Sequence, residues 1–131
     1  MFQTGILRKR VLIVEDSPTQ AAQLRALLMA NNLTVQTAAD GLEGLRLAEG
    51  TLPDLVVLDL ELPGMSGIEV AKSLKANPRT RDIPIILFTR HDSPDVMEMG
   101  LEYGIVDFIP KDVFAKIVLL ETLKHMGIIT H

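Results

Sequence analysis

Hydrophobic positions fall in five short runs: Val11–Val14, Leu33–Thr37, Leu55–Leu58, Ile85–Phe88 and Ile105–Ile109. Four are nearly continuous and rich in Val and Ile, the pattern of strands buried on both faces. Leu33-Thr-Val-Gln-Thr37 alternates instead, which predicts an edge strand. Helix start signals lie between the runs. Ser17-Pro18-Thr19-Gln20 has an N-cap serine, proline at the first helical position and glutamine at the third. Asp40 with Glu43, and Ser66 with Glu69, repeat the capping-box spacing. Ser93-Pro94 opens a further helix, and Asp112 is placed to cap a fifth.

The order is therefore strand then helix, five times over. Such alternation implies parallel strands joined by right-handed crossovers, with helices on both faces of one sheet. Linkers are short, and there is no internal repeat or low-complexity stretch. The reading is one α/β domain over residues 1–131, with a core of about 10–126 and loose ends.

Composition removes several function classes. Among 131 residues there is no cysteine, which excludes disulfides, thiolate nucleophiles and Cys-ligated metal clusters. His91, His125 and His131 are too scattered for a histidine-rich metal site. The net charge of −4 argues against a nucleic-acid-binding face. With no tryptophan and only Tyr103 as tyrosine, stacking platforms are not expected. No apolar run approaches the roughly 18 residues of a membrane span. Arg8, Lys9 and Arg10 lead into a strand-like run rather than a signal-peptide core. A cytoplasmic globular domain is expected.

In open parallel α/β sheets, ligands bind at the carboxyl ends of the strands. The residues at those ends are therefore informative: Glu15 and Asp16 after the first strand, Asp59 after the third, Thr89 after the fourth and Lys111 after the fifth. Three carboxylates brought together repel one another unless a cation intervenes. A hard divalent ion such as Mg²⁺ suits carboxylate oxygens in a small, partly hydrated site. A metal, an ammonium and a hydroxyl also form a clamp for three phosphoryl oxygens. One carboxylate is then the acceptor, since aspartyl phosphates are an established form of covalent catalysis. Asp59 is central in the sheet and begins a loop in which Pro63 and Gly64 force a tight turn.

With these residues in place, the chain resembles the receiver domain of two-component response regulators. The resemblance runs from about Arg10 to about Met126. It is carried by Val11-Leu-Ile-Val-Glu-Asp-Ser17, Leu55-Val-Val-Leu-Asp-Leu-Glu-Leu-Pro-Gly-Met-Ser-Gly67, Pro84-Ile-Ile-Leu-Phe-Thr89 and Gly104-Ile-Val-Asp-Phe-Ile-Pro-Lys111. Four such elements in order, at the expected spacings, are specific where each alone is weak.

The resemblance implies a flavodoxin-like, doubly wound (βα)5 fold with strand order 2-1-3-4-5. It makes Asp59 the phosphoacceptor, served by a histidine kinase or histidine phosphotransfer protein. Asp16 and Asp59 would ligate Mg²⁺, with Glu15 nearby and the backbone carbonyl of Glu61 completing the protein ligands. Lys111 would pair with the phosphoryl group, Thr89 would donate its hydroxyl to it, and Phe108 would be the aromatic switch. Such a domain is not an enzyme beyond its own phosphorylation and dephosphorylation. The family commonly has proline after the lysine, whereas here Asp112 follows and Pro110 precedes. Arg90 replaces a usually small residue, and His91 sits two positions after Thr89, where side chains affect phosphoryl hydrolysis.

Two other functions fit part of the pattern. Asp59-x-Glu61 faintly resembles haloacid-dehalogenase-type phosphatases, although the chain is short for their cap. A pseudo-receiver that binds partners without phosphate is the second. No effector domain follows the last predicted helix, so the output is expected through another protein, unless the chain is part of a larger one. On that helix Ala115, Leu119, Thr122, Leu123 and Met126 share one face, assigned to the core. Phe114, Ile117 and Val118 point elsewhere, and this apolar patch is read as a surface for self-association or partner docking. In the receiver family the fourth helix, fifth strand and fifth helix form the common output face.

Overall fold

A computed structural model describes residues 8–90, 98 and 102–129. Its strands are β1 (Arg10–Val14), β2 (Thr34–Ala38), β3 (Leu55–Asp59), β4 (Ile85–Thr89) and β5 (Ile105–Pro110). The described helices are α1 (Pro18–Met29), α2 (Gly41–Thr51), α3 (Gly67–Ala76) and α4 (Ala115–His125). All strand pairings are parallel, in the order β2-β1-β3-β4-β5. The helix expected from Ser93-Pro94, and His91, lie outside the described residues.

Strand alternation sorts the core into two layers. Val11, Ile13, Leu55 and Val57 pack with Leu24 and Leu28 of α1 and with Leu119 and Leu123 of α4. Leu12, Val14, Val56 and Leu58 pack with Ala48 of α2 and with Val70, Ala71 and Leu74 of α3. Successive side chains of a strand point to opposite faces, so one strand feeds both layers. This is why β1, β3 and β4 read as continuous apolar runs.

β2 is an edge strand, as its alternation predicts. β5 is the other edge and departs from the reading of strands buried on both sides. Val106 and Pro110 are exposed on it. Pro110, which has no N–H to donate, is tolerated at the end of an edge strand. A register shift between β4 and β5 pairs Ile85 with Ile105 but Ile86 with Asp107, leaving one extra residue in β5.

Three N-caps form where expected: Ser17 Oγ accepts from Gln20 N, Asp40 Oδ1 from Glu43 N, and Ser66 Oγ from Glu69 N. Only Ser66 and Glu69 complete a reciprocal capping box. Asp112 does not cap the last helix. Its Oδ1 accepts from Phe114 N at 2.8 Å, an Asx-type turn that delays the helix start to Ala115. Phe114 takes the N-cap position with no side-chain cap. The predicted core face of α4 is buried at Ala115, Leu119 and Leu123, with Thr122 and Met126 half-buried at its margin.

Candidate functional site

The carboxyl end of the sheet collects the polar side chains. Glu15 extends the alternation of Val11 and Ile13, Asp59 that of Leu55 and Val57, and Lys111 that of Ile109. All three therefore project on the face covered by α1 and α4. Thr89 follows the other parity with Leu87, as does Phe108, which is paired with Leu87 in the ladder. The two expected switch residues thus share the opposite face. Phe108 is half-buried there against the α2/α3 layer, and Thr89 is buried.

Asp59 is held from both sides. Its strand continues past it, with Leu60 N donating to Phe88 O at 3.0 Å. The loop then returns, and Gly67 N donates to Leu60 O at 2.7 Å. Gly64, at φ +75°, supplies the left-handed turn that non-glycine residues avoid. Gly67 is required for a different reason. A Cβ there would collide with the Asp59 carbonyl oxygen and lie 2.8 Å from Leu60 Cα. Only glycine lets α3 start this close to the site.

The Asp59 carboxylate is 4% exposed and is met by donors on both of its oxygens. Glu61 N reaches Oδ1 at 3.1 Å, and Lys111 Nζ reaches Oδ2 at 3.0 Å. Lys111 Nζ also meets Glu15 Oε1 at 3.1 Å and Gln20 Oε1 at 3.2 Å. The second Glu15 oxygen accepts from Ser17 N at 3.0 Å. Glu15, Asp16 and Asp59 each offer a carboxylate oxygen, all within 4.8 Å of one another. Asp16 is the exposed member.

Electrostatics follow from this crowding. Burial raises the Glu15 pKa above its ordinary value, and the Asp59 charge adds to the rise. The Ser17 N–H and the Lys111 ammonium oppose it only in part. For Lys111 burial pulls downward, but Asp59 and Glu15 more than reverse this and hold the ammonium above its ordinary value. Among the described residues, one ammonium ion-pairs with two of the three clustered carboxylates. That leaves an excess of negative charge on hard oxygen donors, which suits a small divalent cation.

The structure thus brings together Glu15, Asp16, Asp59 and Lys111, and sets Thr89 at the adjoining strand end. Glu61 is exposed, with its N–H turned to Asp59. Gln20 is the contact that sequence reasoning misses, because its position reads as that of a capping residue. Its one signal is its place on the first turn of α1, directly after the acidic strand end. Phe114, Ile117 and Val118 are exposed, Ile117 to 62%.

Known proteins resemble this chain in sequence and fold. A family model described as the response regulator receiver domain matches residues 11–124. The response regulator PleD of Caulobacter vibrioides is 40% identical over 104 residues, 79% of this chain and 23% of that protein. The DNA-binding response regulator MtrA of Mycolicibacterium smegmatis is 36% identical over 117 residues, 85% of this chain and 50% of that protein. The chain therefore spans half or less of the length of these curated relatives. Among solved structures, the chemotaxis protein CheY4 of Vibrio cholerae superposes with a TM-score of 0.84 at 29% identity, covering 91% of this chain and 98% of that one. The receiver domain of the sensor histidine kinase PA1611 of Pseudomonas aeruginosa has a TM-score of 0.80 at 28% identity, covering 91% and 97%. That structure has a magnesium ion coordinated in its active site cleft.

Proposed function

Because this chain belongs to the response regulator receiver domain family, we propose that it is a phosphorylation-dependent signalling switch with Asp59 as the phosphoacceptor. The donor is a histidine kinase or histidine phosphotransfer protein, which places the domain in the cytoplasm. The observation that carries the reading is the Asp59 carboxylate, buried at a central strand end and paired with Lys111 at 3.0 Å.

Glu15, Asp16 and Asp59 would hold Mg²⁺ with the carbonyl of Glu61, and the bound ion would supply charge neutralisation at a phosphoryl oxygen. The chain's own residues do the rest. A carboxylate oxygen of Asp59 attacks phosphorus, and the bond from phosphorus to the donor's imidazole nitrogen breaks. That nitrogen keeps the electron pair. Lys111 stands where charge accumulates on the transferred group, the preorganised arrangement that electrostatic catalysis needs. Thr89 then donates its hydroxyl to the phosphoryl group. Its movement leaves space on the face it shares with Phe108, and the aromatic ring turns inward to fill it. Local charge thereby biases a two-state packing element.

The output surface is the exposed patch of Phe114, Ile117 and Val118 at the start of α4. Self-association or docking of a downstream protein occurs there. A domain of this kind performs no turnover on other substrates.

Incubating the chain with Mg²⁺ and acetyl phosphate, then measuring its intact mass, tests the proposal. One added phosphoryl group is expected, and Asp59→Asn should abolish it. Strong labelling of that variant overturns the assignment. A parent chain that takes no label is instead a phosphate-independent module, and one that turns over exogenous esters is a phosphatase.

A further inference from the structure

Among the described residues the Lys111 ammonium, with its three hydrogens, meets three acceptors: Asp59 Oδ2 at 3.0 Å, Glu15 Oε1 at 3.1 Å and Gln20 Oε1 at 3.2 Å. Two are carboxylates of the acidic site. The third is a neutral amide on the first turn of α1. We propose that Gln20 is a positioning residue, which fixes the direction of the Lys111 ammonium and so the point where it meets a phosphoryl oxygen on Asp59. This role rests on the phosphotransfer reading of the site.

An ammonium only donates, so it is the oxygen of the Gln20 amide that faces it. With two acceptors the ammonium still turns toward water. A third acceptor, at the end of a separate element, fixes its rotation. Gln20 adds no charge in doing so.

Local structure explains why the Gln20 side chain is free for this task. At the third helical position of a capping box, the side chain bends back to the N-cap N–H. Glu69 does this on α3. On α1 the Ser17 N–H is already taken by Glu15 Oε2 at 3.0 Å. The Gln20 side chain reaches Lys111 instead. A closed circuit results: Ser17 N–H to Glu15, Gln20 N–H to Ser17 Oγ, Lys111 to Gln20, and Lys111 to Glu15. It ties the ends of β1 and β5 to the start of α1. Gln20 and Lys111 also line a groove of about 450 Å³ with Arg90 and Lys116. Gln20 thus stands on the open side, where water would otherwise take the third hydrogen.

When Asp59 carries a phosphoryl group, Lys111 exchanges one of its three acceptors and keeps the other two. Its direction is then set before the phosphoryl group arrives, which is what lowers the cost of orientation in the transition state.

The test compares Gln20→Met, which keeps length and helix propensity without the amide acceptor, with Gln20→Glu, which keeps an acceptor oxygen. Two quantities are read on the full chain. One is the rate of labelling by acetyl phosphate with Mg²⁺. The other is the proton–nitrogen resonance of the Lys111 ammonium, visible when its exchange with water is slowed. Gln20→Met should label about tenfold more slowly and lose the ammonium resonance, with an unchanged unfolding midpoint. Gln20→Glu should recover most of the rate and keep the resonance. Parental labelling with a retained resonance in Gln20→Met overturns the proposal. So does equal slowing in both variants, or a resonance that is absent from the parent. If the parent is not labelled at all, the phosphoacceptor reading fails, and the resonance alone decides whether Gln20 holds Lys111.

Discussion

At Glu15 two demands conflict. The carboxylate is 5% exposed, so burial favours its neutral form, yet cation binding needs it ionised. Its raised pKa means that the folded chain holds this proton more tightly than the unfolded chain does. The stability it contributes is therefore fully present below the unfolded value of about 4.3 and is lost as pH rises through the raised folded value. Glu15→Gln removes that loss. Without divalent metal, the variant should be more stable than the parent at neutral pH, with the gap closing as pH falls toward about 4.3. Urea unfolding across this range checks it, and a gap that widens on acidification contradicts it. Asp16 carries the opposite expectation. As the exposed acid of the cluster it offers its charge to a cation at little desolvation cost. Asp16→Asn should weaken Mg²⁺ binding at least about tenfold, as loss of a direct ligand exceeds the usual effect of outer-shell changes. Glu61→Gln should leave it nearly unchanged, because the expected contribution is a backbone carbonyl. Titration calorimetry separates the two. Glu15, Asp16, Asp59 and Lys111 are legible in the sequence because each lies at the end of an apolar run, and strand ends in a parallel sheet converge. Gln20 is not, because its sequence position has an ordinary explanation in helix capping and only the fold brings it 3.2 Å from Lys111.

At the scale of elements, the start of α3 matters most for the site. Gly67 has no positive φ, so its requirement is steric alone. Gly67→Ala should destabilise the fold by about 1–3 kcal/mol, the usual range for overpacking. It should also slow phosphoryl labelling, since relief of the clash moves the Asp59 backbone. Thermal unfolding and the labelling rate report the two effects, and a variant unchanged in both would mean that the contact relaxes freely. The helix starts are legible where a side chain of the right type stands at the N-cap, as at Ser17, Asp40 and Ser66. Asp112 misleads by the same rule. Its side chain bonds the backbone two residues on, which satisfies an Asx turn as well as a cap. Sequence alone does not choose between them. β5 misleads for another reason: its apolar run looks internal, but its place in the strand order puts it at an edge, and periodicity does not report order.

Across the whole molecule, one sheet links two half-cores, and Asp59 sits on the opposite face from Thr89 and Phe108. A change that begins at Asp59 on the α1/α4 side must therefore pass through the ends of β4 and β5 to reach Phe108. The proposed output patch of Phe114, Ile117 and Val118 lies just beyond β5, on α4 and the turn before it. Substituting Ile117 and Val118 by glutamate should leave labelling of Asp59 intact and abolish association of phosphorylated chains, measured by sedimentation. Association that survives both changes removes the patch from the output surface. No helix among the described residues is long and apolar enough to cross a membrane.

The sheet's two borders decide how copies of the chain can meet. Unpaired strand edges invite another chain to add a strand. Here β5 resists it: the strand carries an extra residue at its register shift and ends in Pro110, which has no hydrogen to offer a neighbour. A backbone ladder between molecules would be hard to dissolve each time a signal ends. With that border discouraged, contacts between molecules beside β5 fall to side chains on the neighbouring helix, which separate as readily as they form. Reversibility is in this sense written into the rim of the sheet, well away from Asp59.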